Sequence, residues 1–336
     1  MKEKLIKKMI YQCTHKVPSG GIETYLSSLY IYQIDGMSDG VITSLRNIEQ
    51  SQCKLLHIHL PEILEEITGE CPVIYTIHGP GTFCPSLTQY LTASKSCCER
   101  KMSYLKCTWG HLVDNCGSRR PQNIVRNLRQ AFWEKDLINK LKIPLIANSK
   151  YMRRQLIKNG FSGDRITTLY YGIPILKTDA EPLTREIHRQ QRILFAGRII
   201  PPKGLNWLLE TLAQTDSCIH LDIAGDGYVR SQMEKLSKEL GLSERVTWHG
   251  WCNHEQLDAL YQQCFALIFP SVWPEPAGIV TLEAYAHYRP VIASSVGGIP
   301  EHITDSQTGI LVPPHDSKRL AAAINELAVD HQKARS

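Results

Sequence analysis

The sequence predicts an α/β protein of two successive, Rossmann-like doubly wound halves, each a parallel sheet covered by helices on both faces. Three observations predict it. The chain has 336 residues, more than one ordinary core takes, and that length suits two domains of roughly 150 residues each. Short apolar runs of strand length alternate with stretches of helical period, as βαβ units do. The alternation stops at one polar stretch near the middle and then begins again. With 43% hydrophobic and 21% charged residues, the composition is globular, and disorder is not the default expectation.

The first half opens with the strand "MIYQCT", then a glycine turn leading into a helix, "PSGGIETYLSSLYIYQI". "GVITSL" is a weak second strand, and "KLLHIHL" and "PVIYTIH" are apolar runs that end in polar residues. After a long cysteine-bearing stretch come the strand "PLIANS", the helix "SKYMRRQLIKNG" closed by Gly160, and the strand "RITTLYYG". "KTDAEPLTREIHRQQ" has little apolar content and is the linker candidate. The second half runs strand "RILFAGR", helix "GLNWLLETLAQ", strand "IHLDIAGDG", helix "VRSQMEKLSKELG", strand "RVTWHG", helix "HEQLDALYQQC" and strand "FALIFPS". Strands "PVIAS" and "GILVPP" and the helix "SKRLAAAINELA" complete it. The expected domains are 1–173, with an insertion at about 80–133, and 174–336. Ligands of such sheets sit beyond the carboxyl ends of the strands, so two facing sheets would make one central cleft.

Charge narrows the partners. A net charge of +5, from 38 basic against 33 acidic residues, is too mild to argue for nucleic acid. Lys2, Lys4, Lys7 and Lys8 crowd the start, and Arg119, Arg120, Arg126 and Arg129 recur later. Such a face meets an anionic membrane surface at about 1 kcal/mol per nearby cation, or it is merely solvated; both readings stay open. No apolar stretch has the form of a signal peptide or the length of a membrane span. The expected location is therefore the cytoplasm, with or without peripheral contact at the inner membrane face, where the 11 cysteines stay mostly reduced. Five of them, Cys84, Cys97, Cys98, Cys107 and Cys116, crowd a run expected to be a long loop with one or two short helices. Four thiolates can close a structural zinc site, yet no CxxC pair is present. Zinc and plain reduced thiols both remain open.

The chemistry-bearing residues fall at predicted strand ends. "FAGRIIPPKG" places Arg198 and Lys203 after a strand, two cations suited to phosphate, or simply surface charge. "WPEPAGIVTLE" holds Glu275 before a helix that starts near Gly278 and Glu283 about one turn inside it. The first amides of that helix, at Ile279 and Val280, lack helical acceptors and favour an anion. Glu283 suits the paired hydroxyls of a ribose, or it is a helix-surface carboxylate. "AGDGYVR" has Gly225 and Gly227 but Arg230 at the third glycine position, a weak dinucleotide fingerprint. Gly20 and Gly21 follow the first strand, in a turn that lets backbone approach a ligand or is only tight. His78 ends "PVIYTIH" before Gly-Pro-Gly, either as a functional side chain or as a structural hydrogen-bonder. His57 and His59 also end a strand, with no companions spaced as metal ligands. A P-loop, a GxSxG elbow, an HExxH pair and an Asp-x-Asp pair are all missing.

Taken in order, "SGGIETYL", "LLHIHL", "PVIYTIHG", "LIANS", "GRIIPPKG", "IAGDG", "PEPAGIVTLEA", "PVIASSVGGIPEHI" and "TGILVPPHD" resemble the retaining, family-4 glycosyltransferases of GT-B fold. The resemblance runs from about Met9 to Ala328. It implies that Arg198, Lys203 and the helix start at Gly278, Ile279 and Val280 hold the donor diphosphate, and that Glu283 binds the ribose. Glu275 would support positive charge at the anomeric carbon, and His78 would reach the sugar. Gly20 and Gly21 would pack near the diphosphate, and backbone around Trp251 and Cys252 would contact the base. It further implies retention of configuration and a nucleotide-sugar donor; with no Asp-x-Asp pair, Arg198, Lys203 and the helix end would do what a divalent metal does elsewhere, so transfer without metal or other cofactor is expected. A UDP-hexose, above all UDP-glucose, is favoured over GDP-mannose, with a glycan or lipid-linked acceptor. A sugar epimerase or phosphorylase and a non-catalytic nucleotide-sugar-binding regulator are the rival readings. One departure stands out: "AHYRPVIA" puts Tyr288 and Arg289 where the family has a small residue or glycine, a change expected to touch helix packing more than chemistry.

Overall fold

The computed structural model describes residues 9–13, 38–42, 53–67, 71–172 and 180–335. The strands are β1 (Met9–Cys13), β2 (Ser38–Ile42), β3 (Cys53–Ile58), β4 (Val73–Ile77), β5 (Tyr90–Leu91), β6 (Ser96–Cys97), β7 (Leu145–Ala147) and β8 (Ile166–Thr168). With them come helices α1 (Tyr104–Leu112), α2 (Pro121–Lys140) and α3 (Lys150–Lys158). Later in the chain lie α4 (Arg185–Arg189), β9 (Arg192–Ala196), α5 (Leu205–Leu212), β10 (His220–Ala224), α6 (Arg230–Glu239), β11 (Val246–Gly250), α7 (His254–Gln263) and β12 (Ala266–Phe269). The last elements are α8 (Ile279–Ala286), β13 (Val291–Ser294), β14 (Gly309–Val312), α9 (Ser317–Val329) and α10 (His331–Arg335). Two compact units result, Met1–Ser94 with Cys98–Pro174 and Lys95–Cys97 with Ile175–Ser336.

The first unit carries a parallel sheet in the order β2-β1-β3-β4-β7-β8. Its strands are short and apolar because both faces are covered: Leu56, Ile58, Ile77, Leu145 and Ala147 pack with Met152 and Leu156 of α3. Ser149 starts α3 by accepting the Met152 N–H at 3.0 Å, the usual work of an N-cap serine. The glycine turn and helix expected after β1, with Gly20 and Gly21, lie outside the described residues.

The cysteine-bearing stretch departs from its expected form. It holds α1 and the pair β5-β6, and the insertion boundary drawn at about 133 falls inside a 20-residue helix, α2. Ile124, Leu128, Ala131, Glu134 and Ile138 line one buried face of α2, a helical spacing.

The second unit carries the order β11-β10-β9-β12-β13-β14, the strand sequence of a dinucleotide-type doubly wound sheet. Its core joins Leu194, Leu267, Phe269, Val291, Ala293 and Ile299. The stretch expected as a polar linker is, from residue 180 onward, part of this unit. Thr184 caps α4, Leu183 is buried, and the His188 ring nitrogen Nε2 meets Leu327 O at 2.7 Å. One leucine and one histidine suffice to anchor it despite its polar composition. The "HYR" departure has an equally concrete outcome. Arg289 is 1% exposed and donates to the carbonyls of His287 (2.7 Å), Glu181 (3.0 Å) and Gln262 (3.0 Å). Its guanidinium thereby satisfies the helix-end carbonyls of Gln262 and His287, which would otherwise lack donors, and ties in the segment at Glu181.

Candidate functional site

The carboxyl ends of β9 to β13 carry the candidate site, the edge at which sheets of this order take ligands. The loop after β9 exposes Arg198, which forms no ion pair among the described residues. A short turn, Pro201–Lys203, then ends at Gly204 with φ +72°. A Cβ at Gly204 would lie 1.9 Å from Pro270 O, so only glycine lets the Lys203 turn rest against the segment after β12.

That close approach brings Lys203 to Glu275. The Lys203 ammonium donates to Glu275 Oε1 at 2.5 Å, Ser271 Oγ donates to the same oxygen at 2.7 Å, and Trp273 Nε1 at 2.6 Å. Three donors on one oxygen fix the carboxylate plane, and Glu275 is only 5% exposed. Lys203 also stands over the rings of Phe269 and Trp273, 5.6 and 5.7 Å from their centroids, a favourable place for a cation. Behind Glu275 the Gly298 N–H donates to its carbonyl at 2.7 Å. A Cβ on Gly297, whose φ is +60°, would fall 2.2 Å from that same carbonyl oxygen. The "GG" after β13 is thus the floor under Glu275.

Gly278, φ +73°, opens α8 and supplies no capping side chain. Any Cβ there would meet the Phe269 ring at 2.9 Å. The first turn of α8, with Ile279 and Val280, therefore begins in a left-handed residue at the positive end of the helix dipole. Glu283 lies one turn further, accepts the Tyr261 hydroxyl at 3.3 Å, and has its pKa raised by burial.

The "AGDG" glycines serve another purpose than a dinucleotide fingerprint. A Cβ on Gly225 would lie 1.9 Å from Gly197 O, and one on Gly227 2.1 Å from Ile199 O. Backbone bonds stitch the loops: Gly225 N–H to Gly250 O at 2.7 Å and Ile199 N–H to Asp226 O at 2.8 Å. Trp251 beyond β11 is 72% exposed, and the half-buried Cys252 points its thiol at Gly250 O, 3.6 Å away. Lys203, Glu275 and the α8 start are thus brought together, with Glu283 one turn beyond and Arg198 on the neighbouring loop.

His78 belongs to the first unit. Its Nε2 faces His59 Nδ1 at 2.9 Å and its Nδ1 faces the Tyr171 hydroxyl at 2.6 Å. Tyr171 also accepts from Asn148 Nδ2 at 2.9 Å. His57 Nε2 pairs with Thr76 Oγ1 at 2.7 Å. Burial lowers the pKa of His57 to about 4 and of His78 to about 3, so these rings are neutral at pH 7. Sequence reasoning passed over Ser271, Trp273, Gly297, Gly298, Asn148 and Tyr171. Ser271 and Trp273 sit four and two residues from Glu275, but only the fold turns them toward it.

Residues 177–336, just under half of the chain, match the family model "Glycosyl transferases group 1". Among curated relatives, the alpha-D-kanosaminyltransferase of Streptomyces kanamyceticus is 30% identical over 213 residues, 60% of this chain and 55% of that protein. The D-inositol 3-phosphate glycosyltransferase of Streptomyces bingchenggensis is 34% identical over 149 residues, 41% and 32% of the two chains. The matches therefore span about half, or less, of these relatives. Among solved structures, that of Anabaena Alr3699/HepE in complex with UDP and glucose aligns with TM-score 0.69 and 20% identity, over 98% of this chain and 92% of that one. The sucrose-phosphate synthase of Thermosynechococcus elongatus aligns with TM-score 0.66 and 18% identity, over 98% and 90%. The fold is GT-B, with two Rossmann-like units. No helix among the described residues is long and apolar enough to cross a membrane.

Proposed function

We propose that the protein is a retaining, metal-independent glycosyltransferase of family 4 that moves a hexose, most simply glucose from UDP-glucose, to a carbohydrate or lipid-linked acceptor. The observation that carries this is the Lys203–Glu275 pair, held by Ser271 and Trp273 beside the uncapped start of α8. Breaking a glycosyl–phosphate bond builds negative charge on the leaving diphosphate and positive character on the sugar. Preorganised groups aimed at such developing charge are commonly the largest catalytic contribution. On this reading Arg198, Lys203 and the amides of Ile279 and Val280 hold the diphosphate, with Gly278 keeping the approach open and Gly20 and Gly21 packing near it. Glu283 takes the ribose, and backbone at Trp251 and Cys252 takes the base. Glu275 has its Oε1 occupied by three donors, which leaves Oε2 for the anomeric centre. His78, neutral and fixed on both ring nitrogens, would orient the sugar. The second unit is then the donor domain and the first the acceptor domain.

The alignment with a UDP- and glucose-bound structure supports a uridine donor, and the named activities of the relatives support transfer. Purified protein screened by thermal shift against UDP-glucose, UDP-galactose, UDP-GlcNAc and GDP-mannose should respond most to UDP-glucose, because a ligand of the folded state raises its stability. Slow EDTA-resistant release of glucose from it should follow. A larger response to GDP-mannose would overturn the donor assignment, and binding without transfer or hydrolysis would leave a regulator in its place. A lipid-linked acceptor fits a cytoplasmic enzyme at the inner membrane face, with exposed Arg119, Arg120, Arg126 and Arg129 against anionic lipid. Flotation with phosphatidylglycerol vesicles but not with neutral ones is the expected result.

A further inference from the structure

The cysteine stretch of the first unit has a chemistry that sugar transfer leaves unused. Cys84, Cys98, Cys107 and Cys116 all line one cavity of ≈ 30 Å³, together with Arg100, Lys106 and His111. They come from four separate places: the turn after β4, the end of the β5-β6 hairpin, the middle of α1 and the loop beyond it. No disulfide joins them. Every pair among the four thiols is close enough to interact electrostatically. The fifth cysteine of the stretch, Cys97, sorts with the other unit and does not line the cavity.

Three further observations point to a ligand there. His111 is buried, and its Nε2 has no hydrogen-bond partner. Its Nδ1 lies 3.0 Å from Ser118 O. A carbonyl can only accept, so Nδ1 carries the proton and Nε2 keeps a lone pair; this backbone-fixed tautomer is the one a metal-bound imidazole adopts. Next, backbone N–H groups already face sulfur: Gln89 N–H donates to Cys84 Sγ at 3.3 Å. Such bonds are weak to a thiol and strong to a thiolate. Finally, α1 buries only Gly110 and His111, while Leu105 is 86% and Trp109 59% exposed. Tyr104 stacks on Phe132 of α2, but a helix that buries so little apolar surface gains from a further tie, and small substructures of this kind are commonly stapled by a metal.

We propose that this cavity is a structural zinc site whose four ligands are drawn from Cys84, Cys98, Cys107, Cys116 and His111. Thiolate with imidazole is the donor set of tetrahedral structural zinc. The cavity has room for a single ion. Among the described residues no three His, Cys, Asp or Glu side chains already converge as a metal site, so the sulfurs must rotate inward from the cavity wall when they release their protons to bind. Four thiolates around Zn²⁺ would carry a net charge of minus two, which Lys106 beside the cavity offsets in part; Arg100 there is already paired with Asp114. None of the residues assigned to the donor lines this cavity, so the zinc would hold the fold and stand apart from metal-independent transfer.

The test is metal analysis of the full chain purified under reducing conditions without added chelator. One zinc per chain is expected, released by p-hydroxymercuribenzoate and detected with a zinc dye. Protein produced with cobalt should show the intense visible bands of tetrahedral thiolate cobalt, with or without one nitrogen ligand. Cys107→Ser/Cys116→Ser should lose the zinc, whereas Cys97→Ser should keep it in full. Because the double variant can fail to fold, the mercurial titration of the unaltered chain stands as an independent readout. Absence of zinc together with no thermal shift on adding Zn²⁺ would overturn the site. So would equal loss from Cys97→Ser, or iron in place of zinc.

Discussion

The two units solve the same problem, presenting polar groups at the carboxyl ends of a parallel sheet, with opposite chemistry. In the second unit those ends carry permanent charge, Lys203 against Glu275; Arg192, which opens β9 at its amino end, is doubly bonded to buried Asp222, which His249 also contacts at 2.7 Å. In the first unit they carry neutral imidazoles, His57, His59 and His78, tied to Thr76 and Tyr171. Paired charge in a partly buried place offsets its desolvation only when its partners are well fixed. Neutral rings in a dry place cost little at pH 7 and answer hydroxyl groups. The difference teaches that one fold, used twice, can separate electrostatic work from hydrogen-bonding work.

The comparison can be broken most forcefully at Glu275. Glu275→Gln keeps the shape but removes the charge facing Lys203. Transfer should fall on the order of 100- to 1,000-fold, the size of one preorganised electrostatic group, with UDP binding within severalfold. Unchanged turnover would refute the role. Next in size is Gly204→Ala, which must accept both a left-handed backbone and a 1.9 Å clash with Pro270 O. A loss of about 2–4 kcal/mol in chemical denaturation is expected, and a loss below about 0.5 kcal/mol would show that the loop yields freely.

Acid sharpens the contrast between units. The three histidines have folded pKa values below their unfolded value of 6.5, so the unfolded chain binds more protons once pH drops below about 6.5. Stability should therefore fall on acidification from pH 6.5 toward 4, by up to about 1.4 kcal/mol per pH unit for each ring. His57→Asn should flatten that slope; an unchanged slope would exclude the ring. Glu134 acts in the reverse sense. Burial raises its pKa to about 7, so the folded state holds a proton that the unfolded chain has released, and its stabilising share is lost as pH rises from 4.5 through 7. Glu134→Gln, still an acceptor for Thr82 Oγ1 (2.7 Å) and Tyr75 OH (3.1 Å), should raise the melting temperature at pH 8 by a few degrees relative to pH 5. An equal effect at both pH values would exclude a charged Glu134.

Much of this was legible in the residues. Alternating runs such as "RILFAGR" and "FALIFPS" reveal buried parallel strands because both sheet faces are covered, and the order of elements restarts visibly after the polar stretch. Charges and glycines at strand ends were legible too, since topology alone puts them on one edge. Orientation was not. That Ser271 and Trp273 turn toward Glu275, or that Gly297 lies under it, depends on contacts between loops distant in sequence. The helix Pro121–Lys140 was readable in principle from Ile124, Leu128 and Ala131, but its polar composition hid it beside the cysteines. His188 and Leu183 likewise packed a stretch whose composition argued for a linker.

The stitched loops after β9, β10 and β11 have a consequence for anyone wishing to redesign the protein. Their cohesion comes from glycines against neighbouring backbone, Gly225 on Gly197 and Gly227 on Ile199. Side chains such as Tyr228 and Trp251, both largely exposed, are therefore released from structural duty. A combinatorial library at those two positions should keep the scaffold intact, whereas the neighbouring glycines should tolerate almost no variety.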